Sequence, residues 1–267
     1  MKWVADATGR FEYRPEYDRS ELDGEFELLL SEFMVARYGA VRFPVSTDDL
    51  TVMIEKDASD LDLYADLSAL GEDVEGVTEF YLARKPAVRI AKELSLDSET
   101  RHRLRTTLAH EYGHVRLHRF LWSGKFERRP NSVWPRLARE RARYTRLRAR
   151  MGNEPIDSGT RPIARAMAKT IDGADSRRKG PVCNVSTILD APFTDWMEWQ
   201  ASYAAGAMLM PATALRGLVN RITGEGNMPN PVLGRSQDSR MVASVAETFD
   251  VSEDAARVRL TKLGIPQ

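Results

Sequence analysis

The chain has 267 residues, 39 Lys plus Arg against 39 Asp plus Glu, four histidines and one cysteine. That length supports one good core, or one core with a small appendage, and the balanced net charge says nothing about partners. A lone cysteine excludes an intramolecular disulfide framework. No apolar run approaches membrane-spanning length, and Met1 to Tyr17 is polar without a secretory core, so a cytoplasmic protein with no membrane partner is expected.

In chain order, Ser20 to Asp23 offer caps for a helix whose apolar face is Phe26, Leu29, Leu30, Phe33 and Met34, ending at Gly39. Pro44 opens a second helical segment with Leu50, Met53 and Ile54 on one face. An acidic stretch, Glu55 to Asp66, follows. Alternation over Glu79–Arg84 predicts a strand, and Pro86–Ala91 predicts another, whose proline suits a sheet edge. An edge strand there could pair with an extended substrate backbone.

Asp97 or Ser98 is then placed to cap a helix containing Thr107-Leu108-Ala109-His110-Glu111-Tyr112-Gly113-His114. Leu104, Leu108, Tyr112 and Val115 make its apolar stripe. His110 and His114, one turn apart, project together from another side, where a tetrahedral ion can meet both, and zinc is the usual guest of such a pair. Glu111 lies about 100° round the helix, beside the ion rather than on it. From there it can take a proton from a water and pass it to a leaving amine.

From Lys125 to Lys179 there are sixteen Lys or Arg against six Asp or Glu. Arg136, Arg139, Arg143, Arg146 and Arg150 repeat along a candidate helix that also carries Tyr144. Two readings stand side by side for this insertion, 123–182: a solvated basic face, or a nucleic-acid contact, with single-stranded DNA as an activating partner. Asp195 to Met210 predicts a helix stopped by Pro211, with Ala201, Ala204 and Ala205 small enough to let a second helix approach closely. Residues 216–235, rich in Gly, Asn and Pro from Thr223 to Asn230, read as a linker. Residues 236–267 read as a small tail resembling a helix-turn-helix, with Ser252 capping its last helix; its second helix carries only Arg257, Arg259 and Lys262, so packing against the body is expected ahead of DNA binding.

A catalytic zinc wants a third protein ligand. Leu117 and Phe120 stand where the long metzincin signature needs glycine and histidine, which excludes that class. His118 is a further turn along the helix and suits a supporting or packing role better than ligation. Glu198 is the better candidate, because it opens the alanine-faced helix that can dock on the first. Cys183, fifteen residues before Glu198, can reach the same ion as an inhibitory fourth ligand, in the manner of a cysteine switch. The other reading of Cys183 is a small buried residue.

Thr107–His114 resembles the "TLAHELGH" core of the ImmA/IrrE family of bacterial metallopeptidases. Glu198-Trp199-Gln200-Ala201-Ser202-Tyr203-Ala204-Ala205, ending in Met208-Leu209-Met210-Pro211, resembles that family's second motif, "ExxANxFAxxLLMP". The likeness spans most of residues 20 to 215. It implies an α+β, mostly helical zincin-like metallopeptidase domain over 1–215 with a small mixed sheet. It implies Zn2+ on His110, His114 and Glu198, Glu111 as general base, and Tyr203 beside the centre in a supporting or packing role. The implied activity is regulated cleavage of a helix-turn-helix (XRE-like) repressor in stress, DNA-damage, phage or mobile-element circuits. Ser202 departs from the family's asparagine, and the long basic insertion has no counterpart in the motifs. The alternative is a zincin body acting as a nucleic-acid-responsive regulatory scaffold without hydrolysis.

Overall fold

The helix expected around Phe26 runs from Arg19 to Tyr38 (α1), burying Leu22, Phe26, Leu30 and Met34 at helical spacing, in a computed structural model that describes residues 1–81, 84–122, 177–178, 182–184, 188–189, 191–225 and 235–265. Its cap lies earlier than expected. Asp18, with Glu21, forms a reciprocal capping box, while Gly39 ends the helix in the left-handed conformation at φ 76°. Helix α2, Thr47–Asp57, starts at a second capping box built by Ser46 and Asp49 and buries Leu50, Met53 and Ile54.

The acidic stretch conceals a strand. Asp60–Ala65 (β3) runs parallel to Ala87–Ala91 (β5), which pairs antiparallel with Val74–Tyr81 (β4). The order is therefore β3-β5-β4, and β5 is an interior strand rather than the expected edge. Pro86 did not forbid this because it precedes the paired residues. Its carbonyl accepts from the Ser59 amide at 2.7 Å, and its missing N–H falls outside the ladder. Strand β4 begins five residues before the predicted start at Glu79. It is covered on both faces, so Val74 to Thr78 show no alternation to read. Beyond β4 lie two short pieces of the later chain, Arg177–Arg178 (β6) and Val182–Asn184 (β7), both antiparallel to it. Lys2–Ala5 (β1) and Tyr13–Glu16 (β2) form a separate hairpin.

A short helix, Lys92–Leu96 (α3), and a 3-10 turn capped by Asp97 lead into α4, Arg101–Leu117. After β7 come Trp196–Leu209 (α5), Ala212–Glu225 (α6), Arg235–Phe249 (α7) and Glu253–Lys262 (α8). Helix α6 occupies the first ten residues of the predicted linker 216–235, because Leu215 and Val219 give it an apolar face against the core. The last two helices share that core. Met241, Val242, Val245, Phe249, Ala256 and Leu260 are buried in the same cluster as the apolar faces of α1, α2, α4 and α5. The fold is α+β with most described residues helical. No helix among the described residues is long and apolar enough to cross a membrane.

Two buried arginines tie the last helices to the body. Arg105 of α4 donates to the carbonyls of Val45, Phe249 and Asp250. Arg259 of α8 donates to the Met210 carbonyl at 3.0 Å and to Asp23 of α1 at 2.6 Å, while Asp23 also accepts from the Tyr203 hydroxyl at 2.9 Å. Arg259 is 2% exposed, so its charge has almost no water to fall back on. Asp23→Ala is expected to destabilise the chain by about 3–5 kcal/mol, the range for leaving one partner of a buried pair uncompensated. Urea unfolding followed by circular dichroism measures it. A loss below about 1 kcal/mol, the worth of an exposed pair, would mean that α8 is held by its apolar contacts alone.

Candidate metal centre

Helix α4 is buried over nearly all of its last thirteen residues, from Arg105 to Leu117, between α2, β4 and α5. Its contact with α5 is backbone to backbone. A Cβ placed on Gly113 would lie 3.1 Å from the Ala201 Cα and 3.2 Å from the Ala204 Cβ, so only glycine lets the helices come this close. The small residues expected on α5 thus meet a small residue on α4. That seam brings Glu198, in the first turn of α5, to the two histidines.

His110 Nε2 lies 3.0 Å from Glu198 Oε2 and 3.1 Å from His114 Nε2, and His114 Nε2 lies 3.3 Å from Glu198 Oε1. Ligand atoms at bonds of about 2.0–2.1 Å to a tetrahedral ion stand roughly 3.3 Å apart. The three atoms therefore already stand at the separations such an ion sets. All three residues are buried, and they form a group that could hold a metal ion. Two imidazole nitrogens facing each other at 3.1 Å need a proton or a cation between them. Burial pushes the Glu198 carboxyl up, but His114 and His110 outweigh it and hold it well below the usual carboxylate range. Burial likewise lowers His114, and the Glu198 carboxylate, followed by that of Glu111, reverses the shift. The cluster is a nitrogen-and-oxygen donor set built around one ionised carboxylate.

Behind it runs a hydrogen-bond chain with a defined direction. The Pro15 carbonyl can only accept, so the Gln200 amide that reaches it at 2.8 Å is its NH2 group. Gln200 Oε1 then faces His118 Nε2 at 3.0 Å and must receive a proton from it. Burial, then His114, holds the His118 pKa well below its ordinary value, so the ring is neutral and its Nδ1 accepts from His114 Nδ1 at 2.9 Å. In the neutral His114 ring that a metal would require, Nε2 is then the lone-pair nitrogen, aimed into the cluster. This orients a metal-binding imidazole through its other nitrogen. Gln200→Leu is expected to weaken metal affinity by roughly 10–100-fold, as loss of such outer partners does, while stoichiometry at saturating metal stays unchanged. Competition against a chromophoric chelator reads both. Unaltered affinity would show that Gln200 only fills space.

Glu111 takes no part in the three-atom group. Thr78 of β4 donates to its Oε2 at 2.5 Å, while its Oε1 is buried without a hydrogen-bond partner. Burial pushes the Glu111 pKa up, and His114, His110 and the Thr78 hydrogen bond offset only part of that. The two carboxylates thus stand in different environments, one held ionised by the histidines and the other pushed up by burial. Gly76 makes room for it, since a Cβ there would sit 2.6 Å from Glu111 Oε1.

Cys183 is fully buried, and its Sγ joins ligand atoms of His110 and Glu111 in a second group whose members all lie within 4.8 Å of one another. Burial, then the carboxylates of Glu111, Glu198 and Glu75, pushes its thiol well above the ordinary value. The structure thus brings His110, His114, Glu198, Glu111 and Cys183 to one place, with His118 one contact behind. Tyr203 is not among the residues of either donor group. It packs on Trp199 and hydrogen-bonds Asp23, a role in packing. Arg136, Arg139, Arg143, Arg146 and Arg150 lie outside the described residues.

Sequence reasoning missed Gln200, Thr78 and Gly76. Gln200 had one usable signal: His118 sits a turn beyond His114 on the same face, so a partner for its far nitrogen was owed. Comparison of the chain with protein-family models and with curated proteins yields no match.

Proposed function

We propose that the chain is a zinc-dependent endopeptidase of the ImmA/IrrE type, with a zincin-like body, that cuts a helix-turn-helix (XRE-like) repressor to switch on a stress or mobile-element response. The observation that carries this reading is the pair of carboxylates with separate environments: Glu198 inside the donor set and Glu111 outside it, with one free oxygen. Two imidazoles and one carboxylate at tetrahedral spacing suit zinc, which would polarise a peptide carbonyl and acidify a water at this place. Glu111 Oε1 is the group positioned to take the proton of the attacking water, with Thr78 fixing the carboxylate through its other oxygen. The same oxygen returns the proton to the leaving amine. His118 and Gln200 hold the His114 ring in its tautomer, and the α4–α5 seam excludes solvent from behind.

The test is co-expression with helix-turn-helix regulators encoded beside the gene, followed by a search for their fragments. Fragments should appear with the zinc-loaded chain, vanish on chelation and return when zinc is restored. A chain that holds zinc and cuts no regulator under any of these conditions would favour the non-hydrolytic scaffold.

A further inference from the structure

The outer edge of β4 is filled by the chain itself. Arg177 and Arg178 pair with Tyr81 and Phe80, and Val182, Cys183 and Asn184 pair antiparallel with Val77, Gly76 and Val74. The opposite edge of β4 is taken by β5, so this is the only side on which another strand can add. It is also the side at which β4 passes the candidate centre. Gly76 is the point of closest approach, where even a Cβ would collide with Glu111 Oε1. Residues directly opposite in an antiparallel pair point their side chains to the same face. Cys183, opposite Gly76, therefore points toward Glu111, and its sulfur lies within 4.8 Å of ligand atoms of both Glu111 and His110. The Glu111 carboxylate, whose Oε1 has no other hydrogen-bond partner, faces that thiol and helps push its pKa up, so the strand's central side chain stands directly against it.

We propose that the Val74–Val77 edge of β4 is a binding site for an extended peptide, and that Val182-Cys183-Asn184 is its resident occupant, a strand that substrate must displace. The proposal rests on the peptidase reading for its consequence, but not for the binding site. Strand addition draws its affinity from main-chain hydrogen bonds and its specificity from the pockets that alternate side chains enter. Here the pocket opposite Gly76 is filled by a fully buried cysteine. An incoming peptide must therefore carry a small residue, alanine, serine or cysteine, at that place. Three residues with a register shift between Val74 and Gly76 make a short ladder, whose hold depends on being tethered. Tethering raises its local concentration to about the millimolar range, which a free peptide must exceed. While β7 is seated, Glu111 is wholly covered, and a thiol stands where a substrate's backbone would have to pass.

Because Cys183 is the only cysteine, its reaction with a maleimide reports β7 leaving the edge. The probe is a fluorescent peptide copying residues 180–187 with serine for the cysteine, Gly-Pro-Val-Ser-Asn-Val-Ser-Thr, added to the zinc-loaded full chain. The parent should react slowly and bind the peptide too weakly to measure. Val182→Pro, a residue that paired strands admit poorly, should raise the maleimide rate at least tenfold and bind the peptide, as read by anisotropy. Equal thiol rates in the two proteins, or no peptide binding by a variant with the parent's circular dichroism, overturns the proposal. If the variant loses that spectrum, the parent with excess peptide decides. A faster thiol reaction upholds the proposal and an unchanged rate overturns it. A variant that binds the peptide and cleaves no repressor keeps the binding site and removes the peptidase reading.

Discussion

The Glu111→Gln chain is expected to bind one zinc as tightly as the parent and to cleave roughly 10²–10⁴-fold more slowly, the range that a positioned acid–base group contributes. The substitution keeps the side chain's size, which matters because Glu111 is walled in by Gly76, Thr107 and Thr78. It removes only the ability to accept and return a proton. The position of Glu111 outside the three-atom donor set is what separates the two readouts. Metal content by emission spectroscopy and repressor fragments on a gel measure them in one preparation. Cleavage at the parental rate would end the role given to Glu111. Loss of zinc along with activity would make it a structural acid instead.

Glu198→Ala should do the reverse and strip the metal first. Glu198 supplies the only oxygen of the group, and its carboxylate is the nearest negative charge to both His110 and His114. Without it the two rings would share a buried cation between neutral nitrogens. Affinity should fall by more than the ~10–100-fold that loss of an outer partner brings. Fold should survive, because the alanine face of α5 that makes the seam is untouched. A thermal melt close to that of the metal-free parent, together with zinc lost on dialysis, is the expected pair of results. Zinc retained at parental affinity would place the third ligand elsewhere, with Cys183 the next to substitute.

The parts of this molecule legible in the sequence are those where one periodicity dominates. His110 and His114 announce themselves by spacing, and Ala201 and Ala204 announce a close helix contact. The apolar faces of α1 and α2 were visible for the same reason. Strands were harder. Strand β3 sits among aspartates because it lies at the edge of the sheet, where Asp60 and Asp62 face Arg89 from the neighbouring strand. The interior position of β5 could not be read from Pro86, since a proline outside the ladder and one at an edge look alike in sequence. Gln200 and Thr78 act through partners on β2 and α4 that only the fold brings near. That the C-terminal helices pack against the body was readable from their few basic residues, but not the means: Arg259, a charged residue by composition, is among the largest fully buried side chains. Its partner, Asp23, lies 236 residues away.

The meeting of α4 with α5 also has a place in time. His110 and Glu198 are 88 residues apart, so at about 5–20 residues per second on the ribosome the histidines emerge roughly 4–18 s before the carboxylate that completes their set. During that interval the nascent chain presents two adjacent imidazoles and an apolar helix whose partner has not been made. A metal captured then would be held by two ligands and free to exchange. If the group holds a metal as proposed, secure loading would wait for the second helix, and a chain supplied with metal only early in synthesis would finish without it.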